Sequence, residues 1–210
     1  MTQKHAPLPR LDCVLILALL LAVAVTPLLD FGRQCRQLQT EVFRLHILAN
    51  SDSPEDQRVK LAVRDAVLAG TADVFAQAQT LAQAEAAARE NLDVIQALAN
   101  AELLRQGYPP TAQAQLTNMY FNTRVYDTAT LPAGRYDALR ITLGSGSGRN
   151  WWCVMFPPLC VEAAAKESSE ESQALTEKVE ALGQRPNYKL AFASVELVES
   201  LREKLRDKNP

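Results

Sequence analysis

From Val42 to Ala49 the chain sets Phe43, Leu45 and Ile47 against Arg44, His46 and Leu48. A period of two predicts a strand with one firmly apolar face. At Asn50-Ser51-Asp52-Ser53 the period changes. Ser53 is a suitable N-cap, Pro54 suits the first helical position and Asp56 completes a Ser-x-x-Asp variant of the capping box. Val59, Val63, Ala66, Val67, Gly70 and Val74 then recur at helical spacing, so this helix lays one stripe on a core. A second helix is predicted from about Thr80 to Arg105, with Leu81, Ala84, Ala88, Leu92, Ile95, Ala99 and Leu103 in register, ended by Gly107 and Pro109-Pro110.

Strand patterns follow at roughly Ala114 to Phe121, Tyr136 to Leu143 and Trp151 to Phe156. Leu139, Ile141 and Leu143 alternate with Arg140 and Thr142, and Gly144-Ser145-Gly146-Ser147-Gly148 joins that strand to the next as a hairpin or a wider loop. Trp151 and Trp152 point to opposite faces of an extended segment. Each needs its own apolar cover, which suits a central strand and a scaffolding role. Pro157-Pro158 stops this strand near Phe156. Ala163 to Leu182 is charged, helical or mobile. Tyr188, Leu190 and Phe192 suggest a last strand, and Leu197, Leu201 and Leu205 a last helix. The sum is an α+β single domain, with a sheet of about five strands packed against helices.

The 210 residues accommodate one domain, and the formal net charge of −2 leaves no basic footprint for nucleic acid. The N-terminus changes the picture more. Lys4, His5 and Arg10 precede an apolar run from Cys13 to Val25, extended by Leu28-Leu29. This is the pattern of a signal peptide or a short membrane anchor, and it divides the chain into residues 1–29 and an extracytoplasmic domain of residues 30–210. Ala22-Val23-Ala24 offers a cleavage site, so cleavage and retention are both open. If uncleaved, the segment holds the protein to the membrane.

An exported compartment permits disulfides. Cys153 and Cys160 can meet across the Pro-Pro turn, or remain reduced as small buried hydrophobes. Catalytic chemistry is poorly supplied. Cys153 with His46, oriented by Asn50 or Asp52, is the sharpest nucleophile-base pair available, but its apolar setting disfavours a thiolate. The Gly/Ser run precedes a strand, not the helix a phosphate loop requires. The spacing of Cys153 and Cys160 is too long for the usual structural zinc site. No catalytic set, metal or cofactor is expected. Arg44, His46, Asn50, Asp52 and Asp56 gather where the first strand meets the first helix, and we take them as the candidate partner-binding surface; capping and turn chemistry is the competing explanation for Asn50 to Asp56.

Four blocks carry a resemblance: Phe43-Arg44-Leu45-His46-Ile47-Leu48-Ala49-Asn50-Ser51-Asp52-Ser53-Pro54-Glu55-Asp56-Gln57; Val59-Lys60-Leu61-Ala62-Val63-Arg64-Asp65-Ala66-Val67; Pro132-Ala133-Gly134-Arg135-Tyr136-Asp137-Ala138-Leu139-Arg140-Ile141; and the Trp-Trp-Cys segment. With the membrane-directed N-terminus, these closely resemble the stage II sporulation protein R family over nearly the whole chain. The resemblance implies a non-enzymatic signalling protein of endospore-forming bacteria, made in the forespore and exported into the space between the two membranes. There it would activate a membrane-embedded aspartic protease of the mother cell, leading to processing of pro-sigma-E. The alternative is an extracytoplasmic hydrolase acting on cell wall or peptide.

Overall fold

The computed structural model describes residues 10–126, 130–157, 170–183 and 188–207. The chain opens with a long helix, α1 (Arg10–Gln39), followed by β1 (Phe43–Leu48). Three helices come next: α2 (Pro54–Ala76), α3 (Leu81–Glu90) and α4 (Leu92–Arg105). Then come β2 (Gln113–Phe121), the short β3 (Arg124–Val125) and β4 (Thr130–Leu131), β5 (Gly134–Thr142) and β6 (Asn150–Phe156). Helices α5 (Glu170–Gly183) and α6 (Tyr188–Asp207) complete the described chain. The class is α+β, as the patterning predicts.

The main sheet has four strands in the order β2-β5-β1-β6, and β3 and β4 form a separate two-stranded ribbon in place of a fifth strand. β1 pairs in parallel with β5 (Leu45 opposite Leu139) and antiparallel with β6 (Leu45 opposite Cys153). Every residue of β1 is buried, so the strand predicted to have one apolar face has two covered ones. On one side Phe43, Leu45 and Ile47 join Leu139, Ile141, Cys153 and Met155 in a core with Val59, Val63 and Val67 of α2, Ala84 and Ala88 of α3, and Ile95, Ala99 and Leu103 of α4. On the other, Tyr136, Ala138, Val154 and Phe121 pack with Phe31, Cys35 and Leu38 of α1, Val179 and Leu182 of α5, and Phe192 and Val195 of α6.

Three expectations are corrected. The single helix from Thr80 to Arg105 breaks at Asn91, whose N–H and side-chain amide both bond to Ala87 O while its own carbonyl accepts from Ile95. A side chain that competes for backbone groups ends one helix and starts the next. The Tyr188 to Phe192 segment is the start of α6, since Phe192 and Val195 lie on one helical face and the core accepts them there. β6 is an edge strand, not a central one. Trp151 and Trp152 do face opposite cores, each half-buried. Of the two connections open for the Gly/Ser run, the wider loop is the one formed, since β1 lies between β5 and β6 and the run spans its end.

Candidate functional site

The strand-to-helix junction is built by its own capping chemistry. Ser53 Oγ accepts from Asp56 N at 3.1 Å with Pro54 at the first turn, as the Ser-Pro-x-Asp pattern requires. Asn50 then binds the Gly/Ser run to the end of β1. Its Oδ1 accepts from Ser145 N at 3.0 Å, its carbonyl accepts from Ser145 Oγ and Ser147 N, and its Nδ2 donates to Asp56 Oδ2 at 3.0 Å. The same carboxylate oxygen accepts from Ser51 Oγ at 2.5 Å. These donors, Ser51 foremost, hold the Asp56 carboxyl below the usual range against the opposing effect of burial. Asp52 Oδ1 accepts from Arg149 N at 2.7 Å, and buried Lys60 donates to Arg149 O and Gln57 Oε1. Burial, then the charge of Arg149, pulls the Lys60 ammonium down.

The run can follow this path because Gly144 and Gly146 take φ of +55° and +64°. A Cβ at Gly148 would drive into Ser51 O. Asn50, Asp52 and Asp56 are therefore brought together, and most of their hydrogen-bonding capacity is spent inside the molecule. Asn50 is exposed, and the side chain of Asp52 is 60% exposed.

Arg44 and His46 do not belong to that surface. They are 0% and 2% exposed and lie under the opposite face of the sheet, among aromatic rings. The Arg44 guanidinium sits 4.1 Å from the centroid of Phe121 and 5.0 Å from that of Tyr136, and donates from Nη2 to Tyr126 Oη at 2.6 Å. Its Nε and Nη1 have no hydrogen-bond partner among the described residues. Burial pulls its pKa down, opposed by the two tyrosines. The imidazole of His46 stacks on Trp152 at 4.0 Å with 4° between planes, and both of its ring nitrogens are buried without a partner. Burial, then the neighbouring Arg140 charge, pushes it down to about 4.

Residues outside the sequence-based set complete this face. Arg124 lies 5.3 Å from the Trp152 ring, Arg140 is the cross-strand neighbour of His46, and Phe121 stands 4.7 Å from Trp152. No carboxylate pairs with Arg44, Arg124 or Arg140 among the described residues. Alternation in β5 marks Arg140 as facing away from Leu139 and Ile141. Nothing local marks Arg124, which reaches Trp152 only through the β3–β4 ribbon.

The geometry also settles the nucleophile-base pair. Cys153 and His46 lie on opposite faces of the sheet, since Cys153 stands opposite Leu45 and His46 opposite Trp152. Cys153 is in a disulfide; Cys160 lies outside the described residues. Among the described residues no three His, Cys, Asp or Glu side chains cluster as metal ligands.

α1 is the one helix among the described residues long and apolar enough to cross a membrane. Its span Val14–Gln39 includes a window with mean hydropathy of 2.6 that is only 6% buried.

Comparison with known proteins matches residues 39–183 to the family described as stage II sporulation protein R. The stage II sporulation protein R of Bacillus subtilis (strain 168) is 38% identical over 146 residues, which is 66% of this chain and 65% of the relative. The chain thus aligns with slightly less than two thirds of that relative's length. No solved structure matches. The matched span runs from the end of α1 through both sheets to the end of α5, so the chain belongs to the stage II sporulation protein R family.

Proposed function

We propose that this protein acts at stage II of sporulation as an exported or membrane-anchored signal. It would occupy the space between forespore and mother cell and activate a membrane-embedded aspartic protease, leading to processing of pro-sigma-E. The supporting observation is the placement of the family-matched segment. The described residues within 39–183 supply the sheet and most of the helices packed on it, directly beyond an apolar helix whose first half is largely exposed. Such a chain is suited to act at a membrane surface by binding, and binding activates a protease only through tighter affinity for its active state. The separation of Cys153 from His46 leaves the hydrolase reading without its best catalytic pair.

The test uses the full chain, the mother-cell protease in membranes and its pro-protein substrate. Added protein is expected to produce cleavage that a protease-dead membrane does not support. In parallel, the protein alone is assayed on peptidoglycan and on peptide. Turnover of either by the isolated chain, with no effect on the protease, would replace the activator reading by the hydrolase one.

A further inference from the structure

Helix α6 is built inside out for a protein surrounded by water. By the helical period, Leu197, Val198, Leu201 and Leu205 fall on one stripe, and all four are exposed, at 61%, 46%, 51% and 67%. The opposite face carries Glu199 and Glu203, which turn toward the protein. Glu203 pairs with Arg135 at the start of β5 at 2.5 Å, and Glu199 with Arg202. Among the described side chains of this helix, Phe192 and Val195, nearer its start, are the ones buried in the core, with Ala191 packed against it. Exposed Arg202 and Lys204 fall on either side of the leucine stripe. An apolar stripe bordered by cations is the composition of a helix that rests in a lipid interface, cations to the headgroups and leucines to the acyl boundary.

Position singles out the occupant. The first half of α6 lies against the stretch of α1 where the apolar run ends. Val25, Leu28, Leu29, Gly32 and Arg36 share a groove with Val195, Val198 and Arg202, and Phe31 meets Phe192 edge-on at 5.0 Å. Val198 therefore lies in the same groove as the exposed apolar residues Val25, Leu28 and Leu29, with Arg36, Ser194, Glu199 and Arg202 as its polar lining. Wherever α1 meets a bilayer, α6 is held beside its exit. The family match stops at residue 183 and carries no information about this helix.

We propose that the Leu197, Val198, Leu201 and Leu205 stripe of α6 docks on an anionic lipid surface beside α1, fixing the domain against the membrane. The proposal rests on α1 being membrane-embedded. Its test uses the full chain reconstituted in vesicles of phosphatidylcholine and phosphatidylglycerol, about three to one, so that the surface carries negative charge. A tryptophan is placed at exposed Leu201 (Leu201→Trp) or, as a control on the other side of the sheet, at exposed Val94 (Val94→Trp). Emission is compared with and without lipid brominated near the headgroup, and embedding of α1 is read separately by resistance to alkaline extraction. The expected result is resistance to extraction with the added emission of Leu201→Trp roughly halved and that of Val94→Trp unchanged, as shallow immersion of one helix face requires. Resistance with no quenching at position 201 overturns the docking and leaves the anchor standing. Release by alkali overturns both.

Discussion

His46 is a titratable ring sealed between strands, and its displacement has a defined sign. The folded value of about 4 lies below the ordinary 6.5, so above pH 6.5 neither state binds a proton and the residue is neutral for stability. As pH falls from 6.5 toward 4, the unfolded chain takes up a proton that the folded one refuses, and stability falls. The cost levels off below pH 4 and is at most on the order of 1.4 kcal/mol per unit of displacement. The melting temperature should therefore fall between pH 7 and pH 4.5, and His46→Phe, which keeps a ring on Trp152, should flatten that slope. An unchanged slope in the variant would show that other groups set the acid sensitivity. Arg44 poses the complementary case, a buried cation with two unpartnered donors and rings in place of a carboxylate. Arg44→Met should match or exceed wild type in unfolding free energy from denaturant titration, by up to about 3 kcal/mol, because a buried unpaired charge costs more than its ring contacts return. A loss of about 2 kcal/mol instead would mean that the Tyr126 and Phe121 contacts dominate.

Among the elements, the connection between β5 and β6 is the most constrained. It must clear the end of β1 and return antiparallel two strands away, and Ala49, Asn50 and Asp52 hold it there. Gly148→Ala should cost about 2 kcal/mol or more by thermal denaturation, since the Cβ meets backbone that cannot step aside. Asp52→Lys affects one exposed acceptor and should stay within about 1 kcal/mol of wild type. If Asp52 also faces the partner, the same variant weakens protease activation at unchanged melting temperature, and equal activation would return it to a purely structural role. On β6, Trp152→Ala should cost about 2–3 kcal/mol: the half-buried ring loses less than full burial would predict, but it gives up its stacking on His46 and its edge contact with Phe121.

For the molecule as a whole, α1 is two helices in one rod. The exposed half, through Leu29, contributes almost nothing to either core, whereas Phe31, Cys35 and Leu38 are part of the second one. Removing residues 1–29 should leave the melting temperature of the domain within a few degrees of the full chain, while removing residues 1–39 should abolish cooperative unfolding. In sporulating cells, the shorter deletion should trap the protein in the compartment that makes it and prevent sigma-factor processing. Full processing by a demonstrably cytoplasmic truncated chain would remove export from the proposal.

The sequence by itself determined what depends on near neighbours. The Ser53-Pro54-Asp56 start of α2, the buried stripe of Val59, Val63 and Val67, the end of β6 at Phe156 and the apolar character of α1 follow from periods, caps and prolines a few residues apart. Family membership was legible too, because it resides in ordered blocks of residues. Tertiary structure alone decided which polar groups face water. Arg44 and His46 alternate with apolar residues and read as an outward face, yet α1, α5, α6 and the β3–β4 ribbon supply a second layer that buries them. Alternation reports that two faces differ, and whether the second is wet depends on segments far along the chain. The same holds for α6, whose leucines predict burial while Glu203 finds Arg135 and turns the helix over. A long-range ion pair of this kind has no local sequence signal, because its partners are 68 residues apart in the chain.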